Sequence, residues 1–258
     1  MRWRWALPLA VLVFLYALVM QAPAANLYAW FGPRNSPLQV AGIDGTLKHG
    51  SITAISLDGH SVLKNLQWHL HPLWLLLGRV ALQLQGGDGP TTLNSNLQLS
   101  SGTLRAGPLK FGTELKQVLD DAGFRFLPVD GLAQLDLQSL RLDGNQLRDL
   151  HGHLLLKSLR WDLGQTTLQL GDFSADAATD PQGTVEAVIR SVSGPLDLSG
   201  KANLNATGDY QLNLRLKAKP SAQPQLVDML RSLGRPGAEG YYEIHNKGRL
   251  GSVLPGVK

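Results

Sequence analysis

Two pairs of histidines are the residues whose spacing first suggests chemistry. His69 and His71 form one His-x-His pair, and His151 and His153 form the other. Residues two apart on a β-strand point to the same side, so each pair offers two imidazoles to a single metal ion. A metal site also needs a third ligand and groups that orient the imidazoles, and no carboxylate lies at a suggestive spacing. We therefore interpret the histidines as solvent-facing strand residues and predict no metal site.

Motifs of catalysis and of cofactor binding are missing from the sequence. It contains no Gly-x-Ser-x-Gly nucleophile motif, no phosphate-binding loop of the Walker type and no dinucleotide-binding glycine pattern. It contains no cysteine, which excludes a disulfide, a thiolate metal site and a thiol nucleophile. We predict that the protein is not an enzyme, and we predict no catalytic residue and no cofactor.

The composition places the chain among folded proteins and argues against a nucleic-acid partner. Apolar residues make up 43% of its 258 residues, enough for a packed core. The formal net charge is +4, and Arg2 and Arg4 supply two of these charges ahead of the first apolar run. The rest of the chain therefore carries only about +2, which gives no electrostatic support for binding nucleic acid.

The N-terminus carries the strongest local signal in the sequence. Arg2 and Arg4 precede an uncharged apolar run, Ala6–Met20, which is followed by an Ala-Pro-Ala arrangement at residues 22–24. The run favours a single membrane-spanning anchor, while the Ala-Pro-Ala arrangement also fits a cleavable secretory signal. Either interpretation puts the rest of the chain on the far side of the membrane, because the arginines keep the N-terminus inside. In a bacterium that compartment is the periplasm.

Beyond the anchor, the sequence consists mainly of short strands. In Tyr210–Ala218 the leucines alternate with polar residues, which is typical of a half-buried strand. The segment Leu196–Ala206 precedes it across a turn at residues 207–209, and this arrangement indicates a hairpin. Turn residues recur about every ten residues, which favours an antiparallel sheet, a sandwich or an open barrel. Further strands are predicted at Val80–Leu84, Leu93–Leu99, Leu132–Leu142 and Thr184–Val192.

Three short helices are predicted between the strands. His71–Gly78 places proline in the first turn and glycine at the end, and its leucines suggest a buried turn. Thr113–Ala122 has Thr113 as its cap and an apolar face that includes Val118. Gln223–Leu233 has an apolar face of Leu226, Val227, Leu230 and Leu233, opened by Pro224 and closed by Gly234.

One apolar-polar phrase occurs twice. LKNLQWHL begins at Leu63 and LKSLRWDL begins at Leu156, 93 positions apart. Alternation puts Leu66, Trp68 and Leu70 on one face of the first copy, and Leu159, Trp161 and Leu163 on the matching face of the second. We therefore predict a repeated β unit, about residues 40–105 and 125–218. The apolar face of such a unit either closes a core or lines an open sheet that holds acyl chains.

Several phrases give the chain a family resemblance. The segment GTLKHG at Gly45–Gly50, the Leu-Gln-Trp of residues 66–68, Pro72 with LLLGR at residues 75–79, and LRSLGRPGAEGYYEIHNKGRL at Leu230–Leu250 resemble type II secretion system protein N, the general secretion pathway N component. The C-terminal phrase is the more specific: a helix ends in Leu-Gly, and Gly240-Tyr241-Tyr242 then opens a strand. Lys48 departs from the pattern, since an aromatic residue is expected there.

The resemblance implies a mainly β protein of the bacterial inner membrane: an N-terminal transmembrane helix, then a curved antiparallel sheet or sandwich with repeated units and two or three short helices. Residues 1–25 would form the cytoplasmic start and anchor, 26–39 a tether and 40–258 the periplasmic domain. The implied function is that of a non-catalytic accessory component in the export of folded proteins, with other components of the secretion system as partners and membrane lipid contacted through the anchor. The alternative is an AsmA-like periplasmic lipid carrier.

Overall fold

The computed structural model describes residues 21–31, 38–57, 60–75, 77–121, 127–144, 146–162, 164 and 166–249. The chain divides into two compact units, the first ending at Ser101 and the second beginning at Gly102. The predicted anchor, Ala6–Met20, lies outside the described residues. Among the helices that the structure does describe, none is long and apolar enough to cross a membrane.

The first unit is an antiparallel meander in which each strand pairs with the next along the chain. This order follows from tight turns between short strands, which make sequence neighbours into spatial neighbours. Its elements are α1 (Ala24–Phe31), β1 (Leu38–Gly45), β2 (His49–Leu57), β3 (His60–Leu70), α2 (Pro72–Leu75), β4 (Arg79–Asp88) and β5 (Thr91–Ser100).

The second unit is a longer meander of eight strands in one sheet, again paired antiparallel in chain order. Its elements are β6 (Thr103–Glu114), α3 (Leu115–Asp121), β7 (Val129–Asp143), β8 (Gln146–Asp162), β9 (Thr167–Thr179), β10 (Val185–Ser193), β11 (Leu196–Leu204), β12 (Asp209–Ala218), α4 (Pro224–Ser232), a 3-10 turn (Ala238–Gly240) and β13 (Tyr242–Arg249). The mainly β, antiparallel fold with few short helices is confirmed.

The core of the second unit forms where α4 packs on the sheet. Leu226 and Leu230 of the helix are buried against Phe173 of β9 and Leu216 of β12. Leucines four apart lie on one side of a helix, while the sheet presents every second residue to the same core. The helix predicted at residues 223–233 is confirmed, although Leu233 follows its last turn and is exposed.

The repeated phrase occupies equivalent positions in the two units. In β3, Leu66 and Leu70 are buried, and in β8, Leu159 and Trp161 pack against the core of the second unit. The predicted faces are therefore confirmed for these residues, while Leu163 lies outside the described residues. The strands have the same distortion, because Asn65 and Ser158 both have φ of 53° and are 93 positions apart. Positive φ is uncommon outside glycine, so the shared distortion supports structural repetition.

A glycine lies beside each distortion in the following strand. A Cβ on Gly86 would lie 2.8 Å from the Cα atom of Leu66, while Gly171, the register partner of Leu159, is crowded on its other side by the carbonyl oxygen of Ser193. Neither position has room for a side chain between closely approaching backbones. In the second unit the distortion is also capped: the Ser158 amide donates to Asp172 Oδ1 at 2.7 Å. That bond, together with one from the Ser193 hydroxyl, lowers the pKa of Asp172.

The prediction for the start of α3 is wrong. Thr113 is not a helix cap, because it lies within β6 and pairs with Ala133 of β7, and its side chain is buried. The strand continues to Glu114 and the helix begins at Leu115. Pairing between β6 and β7 outweighs the local capping pattern here, because the backbone amides and carbonyls around Thr113 form their hydrogen bonds within the sheet. Val118, predicted on the apolar face, is exposed.

The environment predicted for α2 is also wrong. The helical turn forms at Pro72–Leu75, and Gly78 follows with φ of 67°, as a C-terminal glycine should. None of its residues is buried, and Leu73 and Leu77 are 74% and 69% exposed. The pattern of apolar residues gave the turn correctly, but it cannot distinguish a covered surface from an open one.

Helix α1 lies across the predicted boundary between anchor and tether. It spans Ala24–Phe31 and contacts β1. Pro23 forms a bridge with Thr46 in the turn between β1 and β2, and the Leu47 amide donates to the Ala22 carbonyl at 3.3 Å. The start of the described chain is therefore fixed to one end of the first unit.

Candidate functional site

The first histidine pair lies on the polar side of the first unit. The rings of His69 and His71 are 5.1 Å apart between centroids and nearly perpendicular, and both side chains are exposed. His49 is the register partner of His69, so a third imidazole belongs to the same end of the sheet. With Gln67 and Gln83, His49 and His69 line an open depression of about 410 Å³. The depression is open to solvent, and its lining is mainly polar.

The second pair lies on β8, where each imidazole has a carboxylate neighbour. Asp176 Oδ1 lies 2.7 Å from His153 Nδ1, and Asp149 Oδ1 lies 3.1 Å from His151 Nδ1. Ser139 Oγ lies 3.3 Å from the same Nδ1 atom of His151 and donates to Asp149 Oδ2 at 2.7 Å. A Ser-His-Asp relay requires the serine and the carboxylate at opposite ring nitrogens. Because both groups lie at Nδ1 here, the set is a surface hydrogen-bond cluster and not a relay.

Metal-ligating side chains do not converge in the part of the chain that the structure describes. No group of three or more His, Cys, Asp or Glu residues there is arranged to hold a metal ion. The histidine pairs therefore lack, within these residues, the third ligand that a metal site requires.

A polar cluster that joins several strands surrounds Tyr241, in the C-terminal phrase that carries the resemblance. We call it the tyrosine cluster. The Tyr241 hydroxyl donates to Asp197 Oδ2 of β11 at 2.9 Å. Arg215 of β12 lies over the tyrosine ring at 4.7 Å, and Lys217 lies over it at 5.2 Å. Lys217 Nζ also donates to the carbonyl of Glu239 at 2.7 Å. Cations over an aromatic face attract its negative quadrupole, so the ring joins three strands.

The tyrosine cluster places β13 in register. Glu239 and Gly240 both have positive φ, which turns the chain sharply before the strand. Tyr241 then lies on the polar face, and Tyr242 packs on the core from the opposite face. The two tyrosines therefore contact opposite faces of the sheet. A one-residue shift of β13 in register would move Tyr241 to the core face and Tyr242 to the polar face. The sequence showed that Arg215 and Lys217 share a face, but not that Tyr241 lies on it.

The hydrogen bond with Asp197 raises the pKa of Tyr241 above its usual 10.0, because ionisation would lose the donated proton and place two anions side by side. We expect Tyr241→Phe to reduce stability at neutral pH, by less than the loss of a core leucine. The difference from the wild type should persist up to about pH 10 and shrink as pH rises through the raised pKa, where the wild type loses this contribution. Urea unfolding at several pH values measures it. Tyr242→Phe is the control, and an equal pH dependence in both variants would contradict the assignment.

Strand β13 is the last described strand of the second unit, and its outer edge has no strand partner among the described residues. Tyr242 and Ile244 pack inward, whereas Glu243, His245 and Lys247 are exposed. An edge of this kind presents unpaired backbone donors and acceptors to another chain. The exposed charged residues limit unselective pairing, so the edge suits a specific extended partner.

An open depression of about 610 Å³ lies at the turn end of the same strands. Polar residues dominate its lining, including Asn203, Asp209 and Lys247. The Asp209 carboxylate accepts hydrogen bonds from Thr207 and Arg249, and these lower its pKa. The carboxylate is therefore already engaged within the turn. A polar, open surface of this type does not resemble a pocket for acyl chains.

Comparison with known proteins gives consistent results. The family described as "Type II secretion system (T2SS), protein N" matches residues 36–245. The chain is 23% identical to type II secretion system protein N of Aeromonas hydrophila over 245 residues, covering 94% of this chain and 96% of that protein. It is 26% identical to the protein of the same name from Vibrio cholerae serotype O1 over 224 residues, covering 84% and 87%. No solved structure matches significantly.

Proposed function

The chain belongs to the type II secretion system protein N family, and from this membership we propose that it is a non-catalytic accessory component of that system, held in the inner membrane. The family match over residues 36–245 is the observation that carries the proposal, because it includes all of the strands from β1 to β12 and the first half of β13. A protein of a secretion machine acts by contact with other components. Its sheet would then serve as an interaction surface.

The location in the inner membrane is supported by the N-terminal sequence. Ala6–Met20 is uncharged and apolar, and the two arginines ahead of it keep the N-terminus in the cytoplasm. With this orientation both units would lie in the periplasm, where the proteins exported by the system fold. The non-catalytic role rests on the family membership and on the sequence, which contains no nucleophile motif and no cofactor-binding motif.

A pull-down tests the proposal. The full chain carries a C-terminal affinity tag, is extracted from its membrane in mild detergent, and is analysed by mass spectrometry for co-purified proteins and lipids. An unrelated single-pass inner-membrane protein with the same tag is the control. We expect other secretion-system components to be enriched over the control. Phospholipid in stoichiometric amount without those components would reject the proposal and support the lipid-carrier alternative.

The outer edge of β13 is the contact that we propose for a partner, through addition of an extended segment to the sheet. His245 of β13 and Lys201 of β11 lie on one rung of the sheet, each paired with Asn213. Both are exposed, but only His245 is on the edge strand. Comparing His245 with Lys201 therefore distinguishes a partner bound at the edge strand from a partner bound on the polar face of the sheet.

The absence of native cysteine allows single-cysteine crosslinking at this rung. We expect His245→Cys with a short photocrosslinker to form an adduct with a secretion-system component in intact cells, and Lys201→Cys to form little or none. Adducts of equal yield at the two positions would instead place the partner on the face of the sheet. Unchanged secretion by both variants shows that the substitutions themselves are harmless.

A further inference from the structure

The one-turn helix α2 gives the first unit an exposed apolar tip. Leu73 and Leu77 are 74% and 69% exposed, and Trp74 is 41% exposed. Val80 and Leu99, which are register partners on β4 and β5, continue the apolar surface next to the turn. Single exposed leucines are ordinary, but a group of large apolar side chains at one end of a sheet indicates an interaction site. We call this group the apolar tip.

The apolar tip lies at the end of the unit where the described chain begins. The Leu47 amide donates to the Ala22 carbonyl at 3.3 Å, which fixes residue 22 to the turn between β1 and β2. The Lys48 carbonyl accepts from the Leu70 amide at 2.7 Å, which joins that turn to the end of β3. Helix α2 follows directly after β3. The tip is therefore about two strand spacings, roughly 10 Å, from residue 22.

The distance along the chain to the apolar run is equally short. Met20 ends that run, and Ala22 follows two residues later. Two residues in the most extended conformation span at most about 7 Å. A membrane anchor at Ala6–Met20 would consequently hold this end of the first unit against the bilayer surface, with no length of chain to let it withdraw.

The side chains of the tip suit the boundary between lipid headgroups and acyl chains. Tryptophan is enriched at that depth, because its ring is apolar and its N–H remains a donor. The Arg79 guanidinium lies over the Trp74 ring at 5.8 Å, and Lys48 is exposed in the neighbouring turn. Basic side chains beside an apolar surface attract anionic headgroups while the leucines enter the acyl region.

From this arrangement we propose that the apolar tip inserts into the outer leaflet of the bilayer that holds the N-terminal anchor, as a second contact with the membrane. The inference rests on the proposed inner-membrane location. Two contacts would fix the orientation of the first unit relative to the membrane, which a single span with a flexible joint would leave free. The exposure of Leu73 and Leu77 in the folded chain then has a physical reason, since lipid covers them.

Spin labelling of the full chain tests the proposal. Leu77→Cys, carrying a nitroxide, is reconstituted in vesicles of phosphatidylethanolamine and phosphatidylglycerol, and collision rates with oxygen and with a nickel chelate give the depth of the label. Thr92→Cys is the control, because Thr92 is exposed at the far end of β5, roughly 25 Å from the tip. Leu73→Cys provides a second, independent position at the tip, and circular dichroism verifies folding of all three.

We expect the labels at positions 77 and 73 to lie about 5–10 Å within the headgroup and acyl boundary, and the label at 92 to lie in water. Nickel accessibility at 77 equal to that at 92 would overturn the membrane contact. So would a label shielded from both oxygen and nickel, which would mean that protein covers the tip. Carbonate washing distinguishes failure of the membrane anchor from failure of the tip contact. Release of the chain from the vesicles refutes both the anchor and the tip contact, whereas a retained chain with a water-exposed label refutes the tip contact alone.

Discussion

Replacing Leu226 by alanine is expected to lower the free energy of unfolding of the second unit by about 2–5 kcal/mol. Leu226 is 1% exposed and is one of two α4 leucines packed on the sheet. The substitution removes three buried carbon atoms and leaves a cavity that β9 and β12 cannot close, because their separation is set by strand pairing. A loss of this size is a large part of the stability of a typical domain.

Urea unfolding followed by circular dichroism, together with hydrogen exchange resolved by peptide, measures the effect. Leu233→Ala is the matched control, because Leu233 follows the same helix and is 54% exposed. We expect it to change stability by less than about 0.5 kcal/mol. The loss of protection in Leu226→Ala should be found in β9, β12 and α4. Equal effects of the two substitutions would contradict the packing described for α4.

The second large effect is expected from Gly171→Ala, at about 3–4 kcal/mol of destabilisation. Gly171 has φ of 114°, a conformation that alanine adopts only with strain. A Cβ atom there would lie 2.1 Å from the carbonyl oxygen of Ser193 and 2.8 Å from the Cα atom of Gly194. Both obstacles are backbone, so the clash is relieved only by separating β9 from β10.

Gly183→Ala distinguishes the clash from the strain. Gly183 also has a positive φ, of 83°, but no atom lies within 4 Å of the position of its Cβ. The conformational strain alone should cost about 1–2 kcal/mol. The difference between the two variants in thermal and urea unfolding therefore reports the close approach of backbones at Gly171. If the variants were equally stable, that approach would be disproved.

Gly171 lies in the strand that follows the second copy of the repeated phrase. It pairs with Leu159 just after the distortion at Ser158, and Gly86 approaches Leu66 just after the distortion at Asn65. The crowding has a different source at the two glycines: the distorted strand β3 itself crowds Gly86, whereas Ser193 and Gly194 crowd Gly171 from its other side. The sequence showed the repeated leucines and tryptophans, whereas the shared distortion became visible only in the structure.

Local patterns gave most elements of the fold. The strand predicted at Tyr210–Ala218 is β12, Asp209–Ala218, and the helix predicted at Gln223–Leu233 is α4, Pro224–Ser232. Both predictions use patterns that extend over about one helical turn or one hairpin. These patterns are alternating leucines, a proline at a helix start and a glycine after a helix end. Thr113 shows where such information fails, because pairing with β7, which is distant in sequence, extended β6 through the predicted cap.

Contacts between residues distant in sequence were decided by the tertiary structure. Asp197 and Arg215 meet Tyr241, and Glu239 meets Arg215, only because three strands and a tight turn bring these residues together. The spacing of these residues along the chain does not predict these contacts. The alternation of apolar and polar residues in β12 did correctly predict that Arg215 and Lys217 share a face. The same holds for His151 and His153, whose neighbours on β7 and β9 determine which ring nitrogen is engaged.

Local sequence patterns indicate an antiparallel β chain with one phrase that occurs twice, an apolar N-terminal run and a resemblance to the type II secretion system protein N family. Alternation of apolar and polar residues requires only neighbouring residues, so it can be read directly from the sequence. Which apolar surface is covered depends on the packing of the folded chain: Leu226 of α4 is buried against the sheet, while Leu73 and Leu77 remain exposed. The physical reason is that burial depends on which distant segment packs over a side chain, and the residue type is the same in both cases.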